Sequence, residues 1–266
     1  MLANDQIVIQ NLNKGFTSGK SQRQVIALEN VNLRVREGQF CAVLGPSGCG
    51  KSTLLRIVGG LIEPSGGRVT MGGTEEPRDA QGGKEIGFVF QDPGLLPWKT
   101  VVENIELPLQ VNLKANRPRQ HTTAEMLDLV GLTAFADAYP YQLSGGMQQR
   151  VAIARALAFD PRILLMDEPF GALDEITRQA MRYELLRIWE RSRKTVIFVT
   201  HSIPESIILS DVVAVMSPRP GRVRGMVEIK LPRPRDEEIE RVPEFLGYTD
   251  RLKQLLREKV GNDGKN

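Results

Sequence analysis

The sequence predicts an α/β fold with a core of buried strands, an antiparallel β edge and an inserted helical segment. An apolar run at residues 40–44 passes through a glycine-rich loop into a helical pattern. Two further apolar runs lie later in the chain. Residues 163–168 end in two acidic residues, and residues 195–200 are followed by a histidine. Between residues 92 and 160 strand signals disappear and helical periodicity replaces them.

The composition is that of an ordinary globular protein, with 266 residues of which 41% are hydrophobic and 25% charged. This length corresponds to one or two domains. Because the net charge is only +3 and no basic block is dense, we expect no nucleic-acid partner. No uncharged apolar run reaches about 18 residues, and no secretory signal is visible at the start. If the chain acts at a membrane, we expect another protein to hold it there.

The two cysteines, Cys41 and Cys49, lie on a predicted strand and in the loop that follows it. A disulfide between them would distort that loop, and their spacing fits no metal motif. We therefore expect reduced thiols, as in a cytosolic protein. For Cys49, a structural role and an oxidisable thiol both remain open.

The N-terminal region alternates apolar and polar residues over 6–12 and 31–35, which predicts two strands of an antiparallel edge sheet. The polar residues 17–24 between them predict a loop. Phe16 is an aromatic residue in polar surroundings just before this loop. Packing and stacking against a nucleobase are both open roles for its ring.

Residues 45–53 form the pattern G-x-x-x-x-G-K-S/T between a strand and a helix predicted at 51–61. The pattern consists of Gly45, Pro46, Ser47, Gly48, Cys49, Gly50, Lys51, Ser52 and Thr53. Its backbone N–H groups and the start of the helix favour a phosphate chain. Lys51 supplies charge to the terminal phosphates, and the Ser52 hydroxyl is suited to ligate Mg²⁺. The sequence predicts a nucleoside triphosphate site here; the alternative is a turn that binds nothing.

Short strands are predicted at 68–71 and 86–91, and the second ends in Gln91. In open α/β sheets, ligands lie at such strand ends. Within the helical segment 92–160, Ser144 is a suitable N-cap for a helix that runs to Ala158. Gly145 and Gly146 follow it and are a poor helix start unless the backbone must approach another group closely. A simple helix cap is the alternative interpretation.

Asp167 and Glu168 end a strongly apolar run, where two adjacent carboxylates need a compensating charge. A Mg²⁺–nucleotide supplies that charge, with Asp167 holding the metal and Glu168 polarising a water molecule. His201 follows the next buried strand, at the end where the other candidate ligands lie, so we expect a functional role rather than a structural one.

Final strands are predicted at 212–216 and 223–229. Residues 231–235 predict a stiff, proline-containing linker, and the last residues predict a disordered end. Between them one amphipathic helix carries Phe245, Leu252 and Leu256 on its apolar face. This helix either docks on the core or acts as a regulatory element.

Taken together, these motifs resemble the ATPase subunits of ATP-binding cassette (ABC) transporters. The resemblance rests on the order of the loop 45–53, Gln91, LSGGMQQR at 143–150, LLMDEP at 164–169, Leu173-Asp174 and His201. It covers about residues 1–230 and implies a P-loop NTPase (RecA-like) core. The implied ABC ATPase domain spans 1–236, with its core at about 1–91 and 161–230 and a helical subdomain at about 92–160. Residues 237–266 would hold the C-terminal helix and the disordered end.

The resemblance also implies a head-to-tail pair of ATPase subunits, identical or different, with two ATP molecules at their interface. Each ATP would be held by residues 45–53 of one chain, the phosphate loop, and by residues 144–146 of the other, which belong to the signature segment. The resemblance implies that Phe16 stacks on adenine, that Gln91 senses Mg²⁺ and the attacking water, and that Glu168 is the catalytic base. It also implies that Lys51 is a catalytic residue, that His201 contacts the γ-phosphate, and that Asp174 lies between the subunits. The signature residues are Ser144, Gly145, Gly146 and Gln148.

A narrower likeness lies in residues 91–109, 217–223 and 231–236, which resemble importer ATPases of the nitrate/sulfonate/taurine type. It implies a transmembrane permease, an extracytoplasmic solute-binding protein and a peripheral position on the cytoplasmic face of the membrane. Soluble and export-type ABC ATPases are the alternatives. Phe16 replaces a commoner Tyr, and Ser202 stands where many relatives have Asp.

Overall fold

The computed structural model describes residues 5–17, 24–72, 86–111, 122–171 and 173–258. Nine strands lie within these ranges and form two sheets. In chain order they are β1 (Asp5–Thr17), β2 (Gln24–Arg36), β3 (Phe40–Leu44), β4 (Gly66–Met71), β5 (Ile86–Val89), β6 (Ile163–Asp167), β7 (Thr195–Thr200), β8 (Val212–Met216) and β9 (Val223–Glu228).

The central sheet has the strand order β5-β6-β7-β3-β8-β9. The first five strands are parallel, and β9 closes one edge in antiparallel pairing with β8. Because parallel strands end at the same edge of a sheet, the segments that follow β5, β6, β7 and β3 are brought side by side. This edge is where the predicted site residues lie.

Strand β3 is buried along its whole length because both faces of the central sheet are covered. Phe40, Ala42 and Leu44 face one apolar core, which is completed by the helices of one layer. Cys41 and Val43 face a second core, which is shared with the antiparallel sheet and the helix after the phosphate loop. The two cores hold the start of the phosphate loop between them.

The antiparallel sheet has the order β2-β1-β4 and confirms the predicted β edge. Strands β1 and β2 are both longer than the alternation in the sequence predicts, and bulges interrupt their pairing. Asn11 and Asn30 adopt positive φ values of 48° and 47° near these irregularities. The predicted strand at 68–71 belongs to this sheet as β4, whereas the one at 86–91 belongs to the central sheet as β5.

Seven α-helices lie within the described ranges: α1 (Lys51–Val58), α2 (Val101–Val111), α3 (Thr123–Leu129), α4 (Gly145–Leu157), α5 (Glu175–Ser192), α6 (Ile203–Leu209) and α7 (Pro243–Arg257). Helix α1 ends at Val58 rather than near residue 61, because Gly59 and Gly60 follow and Gly60 has a φ of +67°. Helices α2, α3 and α4 occupy the segment between β5 and β6, where helical periodicity predicts them. Sequence reasoning gave no explicit prediction for α5 and α6.

The C-terminal segment packs on the core rather than extending from it as a free linker. Arg235 is 5% exposed, and Phe245 and Leu252 of α7 are buried in the apolar core. Helix α7 therefore follows the predicted amphipathic pattern and is docked. The predicted disordered end and most of the predicted loops at 17–24 and after β4 lie outside the described residues. None of the described helices is both long and apolar enough to cross a membrane.

Candidate nucleotide site

The carboxyl ends of four neighbouring strands bring the predicted site residues together. Gln91 follows β5 after one intervening residue, Asp167 ends β6 and Glu168 follows it, and His201 follows β7. The phosphate loop leaves β3, the next strand in the sheet. The sheet order thus assembles from distant parts of the sequence the residues that the motif analysis predicts to act together.

The phosphate loop has the glycine geometry that its motif requires. Gly50 has a φ of +107°, and a Cβ atom there would lie 2.8 Å from the carbonyl oxygen of Ala27 in β2. Gly45 is confined as well, because a Cβ atom there would lie 2.9 Å from Sγ of Cys49. Pro46, Ser47 and Gly48 are exposed at the tip of the loop, while Cys49 is buried beneath it.

Both cysteines are free thiols within the fold. Burial raises the pKa of Cys41 to about 12, and burial also raises the pKa of Cys49. Each thiol therefore stays protonated near neutral pH, where a thiol is a poor nucleophile. This favours the structural interpretation of Cys49 over the oxidisable one.

Lys51 is 4% exposed, yet its ammonium group has three oxygen partners. It donates to the carbonyl oxygens of Gly45 at 2.9 Å and Pro46 at 3.1 Å. Its Nζ also lies 3.2 Å from Oε1 of Glu168. A buried charge needs such partners, and here they hold the ammonium group inside the curve of the phosphate loop.

Ser52 donates its hydroxyl hydrogen to Oδ1 of Asp167 at 2.8 Å. Burial raises the pKa of the Asp167 carboxyl, and the charge of Glu168 raises it further, against the lowering effect of the Ser52 hydrogen bond. A hydroxyl and a partly desolvated carboxylate side by side form a suitable oxygen pair for a hard cation. Thr53, the next residue of α1, is half-buried.

The Glu168 carboxylate contacts both the phosphate loop, through Lys51, and the residue that follows β7, His201. Its Oε1 faces Lys51, and its Oε2 lies 3.0 Å from Nδ1 of His201. The backbone of Glu168 has a φ of +43°, a left-handed conformation that is unfavourable for a residue with a side chain. Hydrogen bonds from its N–H to Val199 at 3.0 Å and from the N–H of Gly171 to its carbonyl at 2.9 Å hold this conformation.

Gln91 is exposed and lies against the loop that follows Glu168. A Cβ atom at Gly171 would be 3.1 Å from Nε2 of Gln91 and 3.3 Å from the carbonyl oxygen of Glu168. The absence of a side chain at Gly171 therefore lets the Gln91 amide approach the acidic loop. Sequence reasoning predicts the strand end but not this partner.

Sequence analysis missed a buried polar pair beneath His201. Thr200 donates its hydroxyl hydrogen to Oε2 of Glu205, which is 5% exposed, and burial raises the pKa of this carboxyl. The hydroxyl of Thr200 also accepts from the N–H of Ser202 at 2.9 Å. The spacing of Ser202 and Glu205 matches the S-x-x-E capping-box pattern, which could have indicated a helix start at this point.

The remaining predicted residues lie at helix starts and on the antiparallel sheet. Ser144 is exposed and accepts from the N–H of Met147 at 3.3 Å, while Asp174 is exposed and accepts from the N–H of Thr177 at 3.0 Å. Both side chains therefore cap their own helices, α4 and α5. Phe16, near the end of β1, is 45% exposed, and the Lys14 ammonium lies 5.1 Å from its ring centroid.

The signature segment shows a close approach within the chain. A Cβ atom on Gly146 would lie 2.7 Å from Cγ2 of Thr177 in α5, so Gly146 allows α4 and α5 to pack. Gly145 is less confined, since its Cβ atom would be 3.6 Å from Leu173. The amide of Gln148 donates to the carbonyl oxygens of Pro140 at 2.9 Å and Leu143 at 3.3 Å, which fixes the turn before the signature.

A family model described as ABC transporter matches residues 28–171, a span that includes the phosphate loop, the signature and the acidic strand end. The chain belongs to the ABC transporter family. The predicted family and the predicted P-loop NTPase fold are both confirmed, and the chain is an ATPase.

Two curated relatives extend the match over most of the chain. The taurine import ATP-binding protein TauB of Rhizobium johnstonii is 46% identical over 248 residues, covering 91% of this chain and 93% of that protein. The nitrate import ATP-binding protein NrtD of Synechocystis sp. is 42% identical over 255 residues, covering 94% of each chain.

Among solved structures, the ATP-binding cassette MJ0796, described as a dimer in a post-hydrolysis state bound to ADP and Pi, matches with a TM-score of 0.70. It is 36% identical, and the match covers 85% of this chain and all of that one.

Proposed function

We propose that this ATPase supplies energy to an ABC importer for a small solute of the nitrate/sulfonate/taurine class. The observation that carries the proposal is the Glu168 carboxylate held between Lys51 and His201 beside a complete phosphate loop. The names of the import ATP-binding relatives support the importer assignment. Residues 91–109, 217–223 and 231–236 support the solute class by their likeness to that type.

ATP would lie with its phosphates along residues 45–53 and its base against Phe16. The Lys51 ammonium already donates to two carbonyl oxygens of this loop, and a phosphate chain offers it stronger, charged acceptors. Glu168 is the proposed general base for the attacking water, and Gln91 orients that water. His201 contacts the γ-phosphate through the ring nitrogen that does not face Glu168.

Mg²⁺ is the proposed metal, with Ser52, Gln91 and Asp167 as its protein ligands. Among the described residues, no group of three or more His, Cys, Asp and Glu side chains could hold a metal by themselves. This agrees with Mg²⁺, which keeps several waters and is usually bound by one or two carboxylates together with substrate phosphates. When bound, the ion neutralises charge on the phosphates. Burial raises the pKa of the Asp167 carboxyl, and a bound cation would favour its charged form.

We propose that two ATPase subunits, identical or different, sandwich ATP head to tail. Ser144, Gly145, Gly146 and Gln148 would contact the ATP of the partner, and Asp174 would lie between the chains. The start of α4 supports this, because Ser144 and Gly145 are exposed there and the helix dipole favours an anion at this end. The described dimeric state of the cassette MJ0796 is a second support.

A transmembrane permease is the proposed partner on the helical segment. An apolar cavity lies between β5 and helices α2 and α4, lined in part by Phe88, Phe90 and Val111. The Phe88 and Phe90 rings stack at 4.2 Å, and the Arg155 guanidinium next to them donates to the carbonyl oxygens of Pro93 and Gly94. A helix seated in this cavity would contact Arg155 and, through it, the segment that follows Gln91.

This partner would hold the chain peripherally at the cytoplasmic face of the membrane, and an extracytoplasmic solute-binding protein would deliver the solute. The predicted domain division belongs to the same proposal. It assigns residues 1–236 to the ATPase domain, about 92–160 to the subdomain that receives the permease, and 237–266 to the C-terminal helix and end.

The catalytic assignment is tested with Glu168→Gln. A positioned general base contributes roughly 10²–10⁴-fold, so turnover should fall by that factor while ATP affinity is kept. The measurements are steady-state hydrolysis and equilibrium ATP binding. Glu184→Gln is the matched control, because Glu184 lies on α5 and pairs with the exposed Arg187 at 3.7 Å, away from the site residues named above. Near-normal hydrolysis by Glu168→Gln would remove Glu168 from this role.

The transport assignment is tested by purifying the tagged chain from gently solubilised membranes. Co-purification of a multi-spanning permease supports the importer, and the ligand of an associated binding protein names the solute. Recovery of ribosomes, nucleic acid or no membrane protein contradicts transport and leaves the ATPase chemistry intact.

A further inference from the structure

Helix α6 connects His201 to the C-terminal segment. It contains only seven residues, Ile203–Leu209, and starts immediately after His201 and Ser202. An isolated helix this short is not stable in water, so its position depends on tertiary contacts. These are the packing of the fully buried Ile207, Ile208 and Leu209 in the apolar core and the groups that hold its two ends. Any shift of α6 along its axis would displace His201 as well.

The first end of α6 is held from within the His201 loop. The Ser202 hydroxyl accepts from the N–H of Glu205 at 3.4 Å, and the Glu205 carboxylate accepts from the hydroxyl of Thr200. These contacts connect residues on both sides of His201 to the first turn of the helix. His201 therefore lies on a loop whose ends are fixed to β7 and α6.

The last end of α6 is held by Arg235 from the C-terminal segment. One guanidinium nitrogen, Nη1, donates to the carbonyl oxygens of Ile207 at 2.7 Å, Ile208 at 2.8 Å and Ser210 at 2.9 Å. The other, Nη2, donates to Leu231 at 3.2 Å. The last carbonyls of a helix have no partner inside the helix, and a cation is favourable at this end.

The segment that carries Arg235 is also held in place by Arg233. Two residues earlier, the Arg233 guanidinium lies 4.4 Å from the Trp189 ring centroid in α5 and binds Asp211 at 2.9 Å. Burial lowers the pKa of Arg235 to about 10, so its guanidinium is still charged near neutral pH. The segment that resembles a stiff linker in sequence thus forms a rigid strap against α5 and α6.

We propose that Arg235 is a positioning residue for His201 and acts through α6. The strap holds the helix at its last turn, and the helix holds the His201 ring at its distance from Glu168. The inference rests on the proposed contact of His201 with ATP. It adds that the C-terminal segment influences the rate of ATP hydrolysis through the position of His201.

The test compares Arg235→Met with Arg224→Met in the full chain. Arg224 is a matched control, since its guanidinium also caps a helix end, with bonds of 3.1 Å to the carbonyls of Leu255 and Leu256 in α7. That helix leads to no site loop. Arg235→Met should lower kcat on the order of tenfold with KM for ATP nearly unchanged, because a small misplacement near the reacting atoms has effects of this size.

A second readout reports on His201 directly. The sequence contains two histidines, so ring-labelled protein carrying His121→Gln gives one histidine signal in an NMR spectrum. Arg235→Met should shift or broaden that signal, and Arg224→Met should leave it unchanged. If Arg235→Met does not fold, Arg235→Lys replaces it; an ammonium cannot reproduce the fixed fork of the guanidinium, so an intermediate shift is expected.

An unchanged histidine signal with normal kcat in the Arg235 variant overturns the inference. Equal losses in both variants also overturn it, because they indicate general destabilisation. His201→Ala separates the two levels of the proposal. Normal hydrolysis by His201→Ala would contradict the proposed role of His201, whereas its inactivity beside a normal Arg235→Met would contradict only the positioning role of Arg235.

Discussion

Asp167 ends a fully buried strand with 6% of its surface exposed, and burial is the main reason that its carboxyl pKa is raised. A raised pKa means that the carboxyl ionises more readily in the unfolded chain than in the folded one. The contribution of this group to stability is therefore greatest below its unfolded pKa and is lost as pH rises through the folded value. Near neutral pH the chain without nucleotide is destabilised by the same carboxylate that is proposed to bind the metal.

Asp167→Asn is predicted to stabilise the chain without nucleotide near neutral pH. The amide is uncharged and still accepts the Ser52 hydroxyl, so Tm should rise by a few degrees, given about 2–4 °C per kcal/mol at this chain length. The gain should disappear below the ordinary Asp pKa of 3.8, where both proteins are neutral at this position. Thermal unfolding without Mg²⁺ and nucleotide across pH measures both effects.

Asp174→Asn is the control with the opposite sign. The backbone N–H of Thr177 lowers the pKa of Asp174, so its charge contributes stability above the unfolded pKa that is lost as pH falls. Its removal should give no gain at neutral pH. A lower Tm for Asp167→Asn than for the unmodified chain at neutral pH would contradict the destabilising role of the Asp167 carboxylate.

Helices α4 and α5 pack closely against each other at their first turns. Gly146 in the first turn of α4 faces Thr177 in the first turn of α5, at a distance that leaves no room for a Cβ atom. Arg178, one residue further along α5, donates to the carbonyl oxygen of Leu173 at 2.6 Å, which fixes the turn before α5. The packing of the two helix starts therefore requires a residue without a side chain at position 146.

Gly146→Ala is predicted to destabilise the chain through overpacking, at a cost of roughly 1–3 kcal/mol. Adding Thr177→Ser removes the Cγ2 methyl group that the new Cβ would meet and should restore most of the lost stability. Gly145→Ala is the control, since its Cβ atom would meet Leu173 at an ordinary 3.6 Å. Denaturant unfolding of the three variants measures this. A double variant no more stable than Gly146→Ala would exclude the contact with Thr177 as the cause.

At the scale of the whole molecule, the phosphate loop and the signature lie on different helix starts, α1 and α4, and both have exposed backbone. Pro46, Ser47 and Gly48 are exposed on one, and Ser144 and Gly145 on the other. Two exposed helix starts in one chain, each favourable for an anion, fit the proposed head-to-tail pair, in which each ATP has contacts with both chains.

Ser144→Arg is predicted to block hydrolysis without weakening ATP binding to the single chain. A long cation at the start of α4 fills the space proposed for the partner's phosphates and opposes the helix dipole. The measurements are hydrolysis rate and ATP affinity of the monomer. Thr133→Arg is the control, because Thr133 is also exposed on the helical segment but lies outside the signature. Unimpaired hydrolysis by Ser144→Arg would contradict the shared site.

Buried strands and short motifs of this protein could be predicted from the sequence, because their signals lie within a few neighbouring residues. The apolar runs at 40–44, 163–166 and 196–199 mark the buried strands β3, β6 and β7, because both faces of the sheet are covered there. The loop at 45–53 is recognisable because its glycines and Lys51 must stand at fixed spacings within one short stretch. The family and the fold follow from the order of such stretches, which is a property of the sequence alone.

Contacts between residues that are distant in sequence became visible in the tertiary structure and could not be predicted from local patterns. The pairing of Glu168 with both Lys51 and His201, the contact of Gly146 with Thr177, and the capping of α6 by Arg235 join residues far apart in sequence. No local pattern encodes such contacts, because they depend on the order of strands in the sheet and on how helices pack over it. The proline-containing segment 231–235 illustrates this: its composition indicates a linker, whereas Arg235 binds the carbonyls at the end of α6 and docks the segment on the core.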